Sequence, residues 1–259
     1  MNHTFYKYQG TGNDFVIIDN RQDEFVKNDA NLIAKICDRK FGVGADGLIL
    51  LEDHDSLDFR MIYFNADGNE SSMCGNGGRC IVHFANYLGI IENTARFEAI
   101  DGEHIATISN GEIHLQMQNV SGIKLDNGGI VMDTGSPHYV KTVENVKALN
   151  VKNEGAEIRY SEDYKVNGIN VNFIQKLEND IFAVRTYERG VEDETLSCGT
   201  GVTAMALAMH WNGSITNNHA ILKTQGGSLK VTFDPVNDGY ENIWLIGPAE
   251  QVFKGKLEW

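Results

Sequence analysis

One plan is written twice in this chain, and that duplication constrains its fold more than any other feature. The segment Cys74-Gly-Asn-Gly-Gly-Arg-Cys-Ile-Val-His-Phe-Ala-Asn-Tyr-Leu-Gly89 returns 124 positions later as Cys198-Gly-Thr-Gly-Val-Thr-Ala-Met-Ala-Leu-Ala-Met-His-Trp-Asn-Gly213. Both copies begin Cys-Gly-x-Gly, run through a helical stretch, and stop at a glycine suited to the position just past a helix C-terminus. Thr11-Gly12-Asn13 matches Thr134-Gly135-Ser136 at an offset of 123, and Gly44 matches Gly168 at 124. Ahead of each cysteine lies a strand-like run, Phe59-Arg-Met-Ile-Tyr-Phe64 and Phe182-Ala-Val-Arg-Thr-Tyr187, then a polar loop with a glutamate four residues before the cysteine, Glu70 and Glu194. A chain of 259 residues built this way reads as two similar α/β halves of about 120 residues each.

After each helix the pattern turns to short alternating strands. Arg96-Phe-Glu-Ala-Ile100, His104-Ile-Ala-Thr-Ile108 and Glu112-Ile-His-Leu-Gln-Met117 are divided by Asp101-Gly102 and Asn110-Gly111. Such dipeptides mark type I′ hairpin turns, in which both central residues need φ > 0. In the second half Gly226-Gly227 and Asp238-Gly239 punctuate strands at 220–224, 228–233 and 242–246. Leu32, Ile33 and Ile36 form a helical stripe behind an Asn/Asp cap, which predicts a further helix over 28–40. The expected division is an N-terminal half at 1–118 carrying Cys74, and a C-terminal half at 119–249 carrying Cys198, joined around 119–127. The final run, about 250–259, lies beyond the second copy and is expected to cross back to the first half's sheet.

Composition narrows the function. There are 27 Gly but only 3 Pro, so the glycine surplus is not that of linkers or disorder; it points to tight turns and close backbone approach. Asp plus Glu number 36 against 22 Lys plus Arg, a net charge of −14 with no basic block. Nucleic acid and anionic membrane surfaces are therefore poor partners. No apolar stretch approaches the ~20 residues of a membrane span, and the first residues lack the apolar core of a signal peptide. A cytoplasmic location is expected, in which Cys37, Cys74, Cys80 and Cys198 are thiols rather than a disulfide framework.

A cysteine at the start of a glycine-rich helix has chemical consequences. A thiol titrates near 8.5, and the exposed N–H groups and dipole of a helix N-terminus favour its thiolate. The same N–H groups, with glycines beside them, can hold a carboxylate. Each half thus supplies one acid/base thiol and half of a carboxylate cradle. Two thiols facing one molecule suit inversion at a carbon bearing an acidic hydrogen, one removing the proton and the other returning one to the opposite face. No cofactor is required, and no phosphate loop for pyridoxal phosphate is present. A single cysteine near a helix start is usually a small buried hydrophobe, but pairing at repeat-equivalent positions reverses that reading. No metal is expected, because Cys-x2-Cys and His-x3-5-His spacings are absent. The Gly-x-Gly-Gly run lacks both the Walker ending and the full dinucleotide fingerprint. Cys80, six residues past Cys74, is turned to another face of the helix and reads with Cys37 as packing. His138 lies in a repeat-equivalent loop and reads as a satisfied structural histidine.

At these residues the chain resembles the diaminopimelate epimerases, pyridoxal-phosphate-independent isomerases of lysine and peptidoglycan synthesis. The resemblance runs in order through Gly10-Thr-Gly-Asn-Asp-Phe15, Phe41-Gly-Val-Gly-Ala-Asp46, Phe64-Asn-Ala-Asp-Gly68, Met73-Cys-Gly-Asn-Gly-Gly-Arg79, Gly135-Ser-Pro-His138, Asn170-Val-Asn-Phe173, Tyr187-Glu-Arg-Gly190 and Ser197-Cys-Gly-Thr-Gly201. It implies an α/β (α+β) fold of two pseudo-symmetric halves, each a mixed or antiparallel sheet wrapped around a central helix, with the active site in the cleft between them. It implies Cys74 and Cys198 as the acid/base thiols. The backbones of Gly75-Asn76 and Gly199-Thr200 would hold the carboxylate at the reacting centre. Glu188 would bind the amino group there and Arg189 the far carboxylate, for which a planar bidentate donor is suited. Asn13, Asn65 and Asn170 would surround the far end of the substrate. A homodimer is suggested by the resemblance alone. Gly47 stands where many members carry Gln and Ser136 where many carry Asn, and the 190–197 segment is one residue longer than usual. The rival readings are a proline racemase or hydroxyproline epimerase of the same fold, which has no use for a far-end clamp, and an idle amino-acid-binding protein, which has no use for two retained cysteines.

Overall fold

The computed structural model describes residues 3–71 and 73–258. The chain divides into two units, one of Met1–Leu115 with Gly247–Trp259 and the other of Gln116–Ile246. The first unit contains β1 (His3–Gly10), β2 (Asn13–Asp19), α1 (Ala30–Cys37), β3 (Gly47–Glu52), β4 (Phe59–Asn65), α2 (Gly75–Tyr87), β5 (Thr94–Ala99), β6 (Gly102–Ser109) and β7 (Glu112–Gln116), which ends at the unit's boundary. A C-terminal strand, Glu250–Leu257, pairs antiparallel with β1. From β1 the ladder continues antiparallel to β2, parallel to β3, antiparallel to β4, parallel to β5, then antiparallel to β6 and β7.

The second unit comprises β8 (Val120–Ser121), β9 (Lys124–Asp126), β10 (Gly129–Asp133), β11 (Pro137–Thr142), α3 (Val151–Arg159), β12 (Asn170–Glu178), β13 (Ile181–Glu188), β14 (Asp193–Thr195), α4 (Gly199–Trp211), β15 (His219–Lys223), β16 (Ser228–Val236) and β17 (Gly239–Gly247). Its ladder runs β10 antiparallel to β11, parallel to β12, antiparallel to β13, parallel to β15, then antiparallel to β16 and β17. This is the sequence of pairings found in the first unit. Even the flanking strand has a counterpart, since β9 pairs antiparallel with β10.

The two central helices are alike in length and burial. α2 and α4 each have 13 residues, of which ten are buried. α2 packs on β1, β2, β3, β6 and the C-terminal strand, and α4 on β10, β11, β12, β15 and β16, so each helix is held by strands from separate parts of its ladder. A helix in such surroundings must be apolar on most sides; Val202, Ala204, Met205, Ala206, Leu207 and Ala208 are fully buried. Each large side chain buried in this way contributes about 1.5–3 kcal/mol relative to exposure. Part of the glycine surplus lets the helices come this close. A Cβ on Gly77 would lie 3.2 Å from Ile49 Cδ1, one on Gly78 2.9 Å from Leu115 Cδ2, and one on Gly201 2.5 Å from Asn172 Oδ1. Both helices end at a left-handed glycine, Gly89 at φ 71° and Gly213 at φ 77°, as the repeat predicts.

Several local expectations change. The predicted helix over 28–40 is α1, capped by Asp29 accepting from the Leu32 N–H, and it stops at Cys37. There Asp38 accepts from the N–H groups of Lys40 and Phe41 and turns the chain, while Gly42 folds onto the Lys35 carbonyl, which a Cβ would meet at 2.0 Å. Asn110-Gly111 has φ of 53° and 80°, the type I′ signature, whereas in Asp101-Gly102 only Gly102 is positive. The joining segment 119–127 is not a bare connection, because β8 and β9 pair with β17 and β10. Asp238-Gly239 is also not a positive-φ turn: Gly239 opens β17 and lies against β8, where a Cβ would come 1.9 Å from the Val120 carbonyl oxygen.

That close approach gives a stability test. Gly239→Ala is expected to cost about 1–3 kcal/mol through overpacking against backbone, read as a lower urea midpoint at unchanged slope. An unchanged midpoint would show that the β8–β17 contact tolerates a side chain.

Candidate active site

In each unit the cysteine of the repeat is the residue immediately before its central helix. Cys74 caps α2 with φ −100°, ψ 128°, and Cys198 caps α4 with φ −117°, ψ 113°. Neither side chain is spent on capping the helix. The carbonyls of these two residues accept the first helical hydrogen bonds, from Gly78 N at 2.7 Å and Val202 N at 2.8 Å. The N–H groups of a helix's first turn have no partner within the helix, so residues 75–77 and 199–201 present donors beside each sulfur. Cys74 is half-buried and Cys198 buried.

Around Cys74 the structure gathers three of the predicted residues, Asn13, Gly75 and Asn76. The Cys74 Sγ–H donates to Asn13 Oδ1 at 3.5 Å, and the Asn76 amide donates to the same oxygen at 3.3 Å. Asn13 begins β2, and its own amide donates to Asp46 Oδ2 at 2.7 Å. Gly75 opens the helix; its carbonyl accepts from Arg79, which also donates to Asn76 Oδ1 at 3.0 Å and to Thr11 Oγ1 at 3.2 Å. Asn13 is thus tied to the thiol itself, among residues expected at the far end of a ligand. Asn65 ends β4 opposite Gly47 in the ladder, and Gly47 pairs on its other side with Phe15. A Cβ at position 47 would meet Phe64 O and Tyr63 Cε2, each at 2.5 Å. The Tyr63 ring therefore fills the space that a longer residue at 47 would need.

The second unit groups its residues in two sets. The Asn170 amide donates to Ser136 Oγ at 2.7 Å and Pro137 O at 3.1 Å, while its oxygen accepts the Arg189 N–H at 2.9 Å. This fixes the end of β13, where Glu188 is half-buried and Arg189 exposed. The Arg189 guanidinium donates to Asn167 O at 3.1 Å. The other set lies at α4: Cys198 Sγ is 3.5 Å from Thr200 Oγ1, and Thr134 Oγ1 donates to the Thr200 carbonyl at 2.9 Å. The repeat-equivalent threonines Thr11 and Thr134 thus both bond to their unit's central helix, Thr11 to the Arg79 side chain and Thr134 to the Thr200 carbonyl. Glu194 has a different task, pairing with Arg185 at 2.5 and 2.6 Å in the β13–β14 hairpin.

The remaining thiols and His138 are set by burial. Cys37 and Cys80 are enclosed, and burial pushes both up to about 12, so neither ionises near neutrality. His138 is wholly buried, and burial pushes it down to about 3, with the Asn172 hydrogen bond opposing and the nearby Arg189 charge assisting. Asn172 accepts from Thr186 Oγ1 at 3.0 Å, so its amide nitrogen faces His138 Nδ1 at 3.1 Å and the imidazole proton belongs on Nε2. That Nε2 has no hydrogen-bond partner among the described residues. The expectation of a satisfied structural histidine therefore holds for one ring nitrogen only. Asp46, Arg79, Thr134 and Asn172 act on the predicted residues without having been singled out. All but Thr134 lie inside the motifs that carry the resemblance, and Thr134 lies in the repeat match.

Comparison with known proteins agrees with this arrangement. A family model described as diaminopimelate epimerase matches residues 5–123 and 130–252. A diaminopimelate epimerase of Flavobacterium psychrophilum is 54% identical over 250 residues, covering 96% of this chain and 98% of the relative. One from Chlorobaculum tepidum is 43% identical over 257 residues, with coverage of 96% and 98%. Among solved structures, a PhzF-family phenazine biosynthesis protein of Bacillus anthracis superposes with a TM-score of 0.80 at 16% identity, covering both chains completely. A hydroxyproline epimerase of Agrobacterium vitis gives 0.69 at 12%, over 99% of this chain and 92% of the other. At these identities the two structures establish the fold.

The buried imidazole makes stability depend on pH. An unfolded histidine takes its proton near pH 6.5, but His138 refuses it until about pH 3, so its contribution is complete above 6.5 and is lost as pH falls. By pH 5 the loss is about 2 kcal/mol. Urea unfolding at pH 7 and pH 5 should show it, and His138→Gln should flatten the difference; equal slopes in both proteins would contradict it.

Proposed function

The chain belongs to the diaminopimelate epimerase family and is an isomerase, and from that premise we propose that it interconverts L,L- and meso-diaminopimelate using Cys74 and Cys198 as its two proton-transfer groups. The observation that carries this reading is the duplicated helix start: two cysteines at equivalent positions, each beside backbone donors and neither engaged in capping. A single Cα has two faces. Inversion needs a base on one and an acid on the other.

In the forward step one cysteine, as thiolate, removes the Cα proton and becomes a thiol. The electron pair left on carbon delocalises into the adjacent carboxylate, where first-turn N–H groups at Gly75-Asn76 and Gly199-Thr200 meet the growing charge. The other cysteine then delivers its S–H proton to the opposite face and is left as thiolate. Proton count is conserved and the two sulfurs have exchanged roles, so the reverse reaction uses the same groups. Glu188 is assigned to the amino group at the reacting centre and Arg189 to the distant carboxylate. Asn65 and Asn170 are assigned to the far amino-acid end and Asn13 to the Cys74 side. A ligand that covers such polar groups without pairing them is disfavoured, which counts against substrates lacking the second amino and carboxyl groups.

No helix among the described residues is long and apolar enough to cross a membrane. We also propose a cytoplasmic, cofactor-independent enzyme that forms homodimers; sedimentation of the purified chain tests the last point.

The function is tested in deuterated water with L,L-diaminopimelate or L-proline as substrate. Deuterium uptake at Cα with inversion is expected for diaminopimelate alone. Inversion of proline instead, or no turnover of either, would overturn the assignment. Cys74→Ser and Cys198→Ser should each reduce epimerisation at least about hundredfold without loss of fold by circular dichroism, and wild-type rates in either variant would remove the two-thiol mechanism.

A further inference from the structure

The hydrogen bonds around Cys74 form a chain with a charged group at each end, and those ends decide which way the amides between them face. Arg79 is fully buried and donates to Asn76 Oδ1 at 3.0 Å. A guanidinium has no acceptor, so the atom facing it must be the Asn76 oxygen. The Asn76 nitrogen is then left to donate to Asn13 Oδ1 at 3.3 Å. At the other end Asp46 Oδ2 receives the Asn13 amide at 2.7 Å. An ionised carboxylate has no donor, so it requires the Asn13 nitrogen. Amide orientation, normally a choice between two near-equivalent fits, is here dictated from both sides. The outcome is that Asn13 turns its oxygen, not its NH2, to the Cys74 sulfur at 3.5 Å.

Asp46 is itself held. Its Oδ1 pairs with Arg39 at 2.7 Å, and Arg39 also grips Asp14 at 2.7 and 3.0 Å. Asp46 Oδ2 takes a second hydrogen bond from the Asp14 N–H at 3.2 Å. Lys7 completes the network from β1, 2.6 Å from Asp14. These charges fix Asp46 without touching Cys74.

We propose that Asp46 is a positioning residue for Cys74: it holds the Asn13 oxygen on the sulfur, so that the S–H form has a fixed acceptor whenever this cysteine is the one carrying the proton. The inference rests on the reading of Cys74 as a proton-transfer group. Cys198 is treated differently. Its neighbour, the Thr200 hydroxyl at 3.5 Å, can donate as well as accept and so suits either form of Cys198.

The test separates orientation from charge. Asp46→Ala removes the acceptor that pins Asn13, whereas Asp46→Asn removes the charge but keeps an oxygen for both the Asn13 amide and the Asp14 N–H. In Asp46→Ala, kcat for diaminopimelate is expected to fall about tenfold or more with KM within about twofold, and Asp46→Asn should recover most of it. Independently of substrate, iodoacetamide labelling at fixed pH, read by mass spectrometry as the Cys74-to-Cys198 ratio, should rise at least threefold in Asp46→Ala and stay near wild type in Asp46→Asn. Asn13→Ala, which leaves Asp46 paired with Arg39, should shift that ratio in the same direction. An unchanged ratio in Asp46→Ala or Asn13→Ala, or an Asp46→Asn variant as impaired as Asp46→Ala, overturns the proposal. A wild-type protein that leaves diaminopimelate untouched yet shows the expected labelling pattern sinks the functional reading and retains the positioning role.

Discussion

Arg79 carries a positive charge into the middle of α2 with none of its surface exposed, and the first unit is organised around meeting that charge. Burial alone lowers its affinity for the proton, so the guanidinium must be compensated by oxygens in place. It reaches the Gly75 and Asn76 oxygens in its own helix, Thr11 in the turn after β1, and the Pro248 carbonyl ahead of the C-terminal strand. Three separated stretches of sequence are thereby drawn to the helix start. The orientation of Asn76, and through it of Asn13, follows from the same side chain.

The second unit reaches a matching geometry by other means. α4 has no arginine at the equivalent place, where Thr203 instead donates back to the Gly199 carbonyl at 3.0 Å. Its first turn is approached by Asn172, whose carboxamide oxygen fits against the bare Gly201. One topology thus supports a charged brace in one copy and a neutral one in the other. Such divergence is open to a duplicated scaffold because the ladder and the helix length, not the bracing residue, fix where the cysteine stands.

Much of this is legible in the sequence. The repeat places α2 and α4, because a Cys-Gly start and a glycine past the end bracket 75–88 and 199–212, within which the two thirteen-residue helices lie. Strand runs at 59–64 and 182–187 fall within β4 and β13. What the sequence does not show depends on contacts distant along the chain. α3 has no clear signal in the sequence because its apolar positions are sparse and Gly155 interrupts them; that glycine is needed where a Cβ would strike Tyr187 Cβ at 2.4 Å. Gly239 looked like half of a turn and serves instead as clearance for Val120. At the site, motif spelling identifies Cys74, Asn13 and Asn76 but not the order in which their amides point, which is set by Arg79 at one end and by Asp46, 33 residues from Asn13, at the other.

The C-terminal strand bears on the order in which the protein is made. Gln116–Ile246 is one uninterrupted stretch and holds every strand of its own unit's ladder apart from the residues at its borders. The first unit, although synthesised earlier, lacks an edge partner for β1 and the Pro248 oxygen for Arg79 until Glu250–Leu257 exist, with Gly255 leaving room for the Phe5 ring beside it. Domains commonly fold in the order they emerge from the ribosome. Here the later one can close first, and the half that carries Cys74 stays an open ladder until translation has passed its final strand.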